Sequence, residues 1–256
     1  MDFLAAAQAE WAGLLAGVLA FALGGLLKGA TGAGAPVIIV PVIALFFDVP
    51  TAVVMFAIPN LLTNIWQGWA YRRDILPGPF AWLFGLGGFA GALIGTLILV
   101  QATPDALSLV MAAVVFCYVA FRLSRPDWRL DVRLATRIVL PVGLVAGTLQ
   151  GSTGISAPVS ITFVNAMRLA RPVFMGVMSI YFMALAAAQI PLMVWYGLMD
   201  WTLALLGIAA VIPMTAAMPV GAWLGRRIPA HVFDKLILSL LSVIALKLVW
   251  ESLVGQ

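Results

Sequence analysis

The chain has 256 residues, 64% of them hydrophobic and only 9% charged, with a net charge of +4 and a mean hydropathy of +1.11. A soluble domain carries about 25% charged residues, so lipid rather than water solvates this chain. The modest positive charge, gathered in short loops, speaks for membrane orientation and against nucleic-acid binding. The single cysteine, Cys117, excludes an internal disulfide and a thiolate metal centre.

The start, Met1-Asp2-Phe3-Leu4, lacks the basic stretch of a signal peptide, so no cleaved leader is expected. Apolar residues then run from about Trp11 to Phe47, interrupted by Gly25-Leu26-Leu27-Lys28-Gly29-Ala30-Thr31-Gly32-Ala33-Gly34-Ala35-Pro36-Val37. The arm after the break, Pro36–Phe47, would be about 18 Å long at 1.5 Å per residue, against a hydrocarbon core of about 30 Å. The spacing predicts a hairpin of short arms over 11–47, with re-entry and full crossing both open. Spans are expected at 51–71, 80–100 and 105–121, separated by Arg72-Arg73-Asp74 and by Thr103-Pro104-Asp105. They complete a first unit over 1–121.

A basic connector, 122–137, follows. Its Arg125, Arg129, Arg133 and Arg137 would share one helical stripe, which fits either a cytoplasmic amphipathic helix on the membrane surface or a solvated linker. The unit 138–256 then repeats the first. Gly147-Thr148-Leu149-Gln150-Gly151-Ser152-Thr153-Gly154-Ile155-Ser156-Ala157-Pro158-Val159 returns the glycine motif with every position shifted equally, Thr153 standing 122 residues after Thr31. A second hairpin is expected over 138–168, then spans at 173–196, 201–224 and 231–250. Flexible backbone inside a hydrophobic stretch, once per half, is the sequence sign of a transporter's binding site.

Loop charges relate the halves. The Asp48-Val49-Pro50 loop has no cation, but its counterpart carries Arg168 and Arg171; Tyr71-Arg72-Arg73-Asp74 is basic, but its counterpart holds only Asp200. Lys and Arg prefer the cytoplasmic side, so equivalent loops lie on opposite sides. The expectation is an all-α polytopic membrane protein of two inverted repeats, each a broken helical hairpin plus three transmembrane helices, with both termini periplasmic.

The doubled Gly-x-Thr-Gly-x-x-Ala-Pro element, the span containing Asn60 and Asn64 with its Tyr-Arg-Arg end, and the segments Gly91–Gly95 and Gly221–Gly225 resemble the TauE/SafE family of bacterial membrane transporters, the sulfite exporter family. The likeness covers essentially the whole chain. It implies export of sulfite, a sulfonate or a related small anion across the bacterial inner membrane.

The candidate site follows from the residues. Pro36 and Pro158 suit the first turn of a helix, leaving N–H groups and a positive dipole end for an anion. Around them Gly29, Thr31, Gly32 and Gly34 in the first break match Gly151, Ser152, Thr153, Gly154 and Ser156 in the second, the hydroxyls as donors. The two breaks are expected to face each other across one midplane cavity. Asn60, Thr63, Asn64 and Gln67 form one helix face that lipid cannot satisfy; Gln189 repeats Gln67 in the second half. Helix–helix bonding and substrate lining both fit this stripe. Lys28, whose counterpart is Gln150, either reaches the cytoplasmic interface or sits beside the anion. His231 reads as an interfacial loop residue. With one histidine and no buried carboxylate pair, the chain lacks the parts for acid–base catalysis. No metal and no cofactor is expected. The reading is a secondary transporter for a small anion working by alternating access, with the bilayer as surroundings and self-association left open. The competing readings are a non-transporting scaffold or accessory subunit and, further off, an intramembrane enzyme.

Overall fold

A computed structural model describes residues 3–124 and 128–227; the expected span at 231–250 and His231 lie outside them. Every element among the described residues is a helix: α1 Phe3–Thr31, α2 Ala35–Ala44, α3 Val49–Ala70, α4 Phe80–Gln101, α5 Pro104–Ser124, α6 Val132–Thr153, α7 Ser160–Ala166, α8 Arg171–Trp195 and α9 Trp201–Arg227. Seven of them, all but α2 and α7, are long and apolar enough to cross a membrane. Their outward faces carry the large hydrophobics, with Trp11, Leu15, Trp82, Leu86, Trp201 and Ile212 all exposed. Glycines and amides lie inside. This is a bundle whose solvent is hydrocarbon, and the chain is a multi-pass membrane protein.

Local chemistry sets the helix ends. Asp48 caps α3 by accepting from the Thr51 N–H at 2.7 Å, and Pro50 stands in the first turn, where its missing N–H costs nothing. Asp131 caps α6 through the Arg133 N–H. That cap settles the connector. Residues 122–124 finish α5, 128–131 are not helical, and Arg133 and Arg137 belong to the start of α6. The four arginines therefore do not share one surface helix.

The first break also lies later than the sequence suggests. Helix α1 runs unbroken through Gly25 and Gly29 to Thr31, and only Gly32 leaves it, at φ 93°. In the second half α6 runs through Gly147 and Gly151 to Thr153, with Gly154 at φ 74°. A left-handed residue just past the last turn is the usual helix stop, and glycine adopts it without a Cβ penalty. The arms that follow are short. α2 has 10 residues and α7 has 7, about 15 and 10 Å, and α7 opens at Ser160 rather than at Pro158.

Two helix pairs pack most extensively. α4 lies along α6, where Gly87, Gly91 and Gly95 face the Leu140, Leu144 and Thr148 carbonyls. α1 lies along α9, where Gly25 and Gly29 face the Met214 and Met218 carbonyls. In both pairs a Cβ would collide with backbone, the close approach that small residues permit in membranes. Gly29 and Gly151, expected in the breaks, are thus packing residues inside helices. Contacts also recur at the repeat spacing: a Cβ on Gly85 would touch Ile180 and one on Gly207 would touch Ile58, just as Gly32 faces Met175 and Gly154 faces Val53. Between α3 and α8, Gly68 lies on Met183 while Gly176 lies on Tyr71 and Ile75, so these two helices oppose each other in direction.

Candidate functional site

The polar face of α3 is buried as a unit: Asn60, Thr63, Asn64 and Gln67 are each at most 3% exposed. Thr63, Asn64 and Gln67 each bind backbone. Thr63 Oγ1 donates to the Pro59 carbonyl at 2.7 Å, and Asn64 Nδ2 donates to the Asn60 carbonyl at 2.7 Å and to Asn60 Oδ1 at 2.8 Å. Gln67 Nε2 donates to the Gly32 carbonyl at 2.8 Å, tying α3 to the first break. From α1, Lys28 turns inward rather than to the interface: it is 2% exposed and its Nζ donates to Thr63 Oγ1 at 3.1 Å. Among the described residues it is the only buried charge, and no buried Asp or Glu accompanies it.

The hydroxyls of the breaks are engaged locally. Thr31 donates to the Leu27 carbonyl and Thr153 to the Leu149 carbonyl, at 2.9 and 2.8 Å. Thr31 also accepts from the Gly34 N–H, and Thr153 from the Ile155 N–H. Ser152 donates to the Thr148 carbonyl, and Ser156 accepts from the Ser160 hydroxyl at 3.0 Å. Such bonds to the preceding turn are the default for hydroxyls near helix ends. They leave Thr31, Ser152 and Thr153 without the free proton expected of them. Gly34 is the N-cap of α2. Gln150 donates from Nε2 to the Gly154 carbonyl at 2.7 Å.

The breaks do not face each other. The first meets α3 at Gln67, the second at Val53, 14 residues apart on one helix and so about 21 Å. The expectation of a shared cavity fails because equivalent breaks sit at opposite ends of α3. What lies between them is the Asn60–Gln67 face with Lys28.

A cavity of about 780 Å³ leads to that face, lined by Gly29, Gln67, Tyr71, Arg171, Met175 and Arg226 among others. Arg171, at the start of α8, donates from Nη2 to the Gly29 carbonyl at 2.8 Å. Arg171 and Arg226 are exposed, whereas Gln67 and Met175 are buried, so cations mark the mouth and an amide the floor. Neither arginine stood out as a site residue in the sequence; the signal was there in the basic flank of Pro172. At the positions related to the mouth the picture reverses: Val49 and Met193, counterparts of Arg171 and Tyr71, are 0% exposed. Among the described residues the polar face opens toward the arginine side.

The chain matches the family described as sulfite exporter TauE/SafE over residues 17–248, nearly its full length. It belongs to that family. No curated protein and no solved structure matches it. In this TauE/SafE chain the matched region holds both glycine breaks, the α3 face, Lys28 and the two cavity arginines.

Proposed function

We propose that the protein is a secondary transporter exporting a small anion, with Lys28 as its electrostatic centre. The observation that carries this reading is the buried Lys28 Nζ, which among the described residues is bound by one hydroxyl and by no acid. Lys28 stands in the last turn of α1 yet turns into the protein, and a buried charge without a counter-charge is a functional expense rather than a structural device. A monovalent oxyanion supplies the missing partner. Asn60, Thr63, Asn64 and Gln67 then replace its water, which hydrocarbon cannot do.

The route is alternating access between inverted repeats. Three features support it: opposed directions of α3 and α8, contacts that recur at the repeat spacing, and exposure at Arg171 against burial at its counterpart Val49. The basic loops support a cytoplasmic mouth for the arginine-lined cavity, with the anion taken from inside. The membrane is the bacterial inner membrane, with both termini periplasmic.

The test is anion-loaded proteoliposomes assayed for efflux of sulfite and small sulfonates. Lys28→Gln is expected to reduce efflux by at least about tenfold, the loss of one charge-assisted contact. Unchanged efflux in a correctly inserted Lys28→Gln protein sinks the reading.

A further inference from the structure

The α3 face offers more acceptors than a bare anion can use. Asn64 Oδ1 and Gln67 Oε1 are both buried without a hydrogen-bond partner. Neither amide can be turned round to relieve this. The Asn64 nitrogen is held by the Asn60 carbonyl and Oδ1, and the Gln67 nitrogen by the Gly32 carbonyl, with Met175 O as a second, longer acceptor. The backbone carbonyls of Asn60, Gly32 and Met175 accept only, so exchanging O and N in either amide would set oxygen against oxygen. Gln67 stands one helical turn beyond Thr63, the residue that holds Lys28 Nζ, and Asn64 follows Thr63 directly in the chain. Side chains one turn apart lie about 5–6 Å from each other.

We propose that the transported anion carries its own hydrogen-bond donor. Its anionic group meets the Lys28 ammonium and its donor group meets Gln67 Oε1, one turn along α3, or Asn64 Oδ1 on the neighbouring position. The chemical class is a small monoanion bearing a hydroxyl, an ammonium or an acidic proton, and not a donor-free or fully deprotonated anion. A donor-free anion of the same size leaves both buried oxygens unpaired and presses its own lone pairs on them. A site built around a hydroxyl or N–H discriminates strongly against the analogue that lacks it. This inference rests on the anion-carrier reading and narrows it.

The experiment measures binding to the purified full chain by calorimetry for two matched pairs: 2-hydroxyethanesulfonate against ethanesulfonate, and hydroxyacetate against acetate. The hydroxylated member of each pair is expected to bind at least about tenfold more tightly. Asn64→Leu and Gln67→Met are expected to narrow that ratio by weakening the hydroxylated ligand more than its partner. Equal affinity within both pairs overturns the proposal while leaving an anion carrier intact. Absence of binding by all four anions overturns the carrier reading and this one with it. The wild-type comparison decides the matter even if a variant fails to fold.

Discussion

Gly32 and Gly154 end their helices with positive φ, and both are hemmed in: a Cβ would lie 2.8 Å from Met175 Cγ at the first and 2.8 Å from Val40 Cγ1 at the second. Alanine there combines left-handed strain of about 1–2 kcal/mol per residue with a clash. Gly154→Ala is therefore expected to lower the melting temperature in detergent by several degrees, at about 2–4 °C per kcal/mol. Gly17→Ala is the control, because no atom of another described element lies within 4 Å of its Cβ direction. Equal melting of the two variants would mean that the left-handed turn at Gly154 is dispensable. The sequence marks these glycines as special but does not sort them. Gly29 and Gly32 stand three residues apart in one motif, yet one packs on α9 and the other breaks the chain. Both roles exploit the missing Cβ, and only the partner helix, far along the chain, separates them.

At the scale of elements, hydropathy reveals the helices and their apolar faces because lipid imposes one rule on every span. The buried polar face of α3 is legible for the same reason: lipid cannot pair with an amide, so the stripe must turn inward. What periodicity does not reveal is where helices stop. The arginines at 129, 133 and 137 keep a helical spacing although Arg129 precedes the helix that holds the other two, and the Asp131 cap between them sets the true boundary. Nor does it reveal depth, so two equivalent breaks read as neighbours although α3 separates them. The α4–α6 seam gives a prediction at this scale. Gly91→Leu drives a side chain into the Leu144 carbonyl and Gly147, and its cost is expected to exceed that of Gly154→Ala. The measure is the fraction of monodisperse protein recovered after mild heating. Full recovery would show the seam to be loose.

For the whole molecule the informative contrast is between related positions. Arg171 is exposed at the cavity mouth and its counterpart Val49 is sealed. In a Cys117→Ser background, Arg171→Cys is expected to react with a water-soluble thiol reagent supplied from the cytoplasmic side, and Val49→Cys to stay protected from either side in the resting protein. A transported anion that cycles the protein should raise Val49→Cys labelling from the opposite side only. Equal and constant labelling of both cysteines would rule out one-sided opening.

The exchange of partners between the halves has a consequence for how the protein is made. α1 leaves the ribosome long before α9, yet α9 is what fills its groove at Gly25 and Gly29. α4 likewise waits for α6, across the connector. Neither half satisfies its own seams, so insertion into the bilayer must run ahead of packing, and the nascent first half sits in the membrane with its backbone grooves uncovered. A gene cut at the connector would then yield two fragments that are each short-lived alone and persist only when produced together.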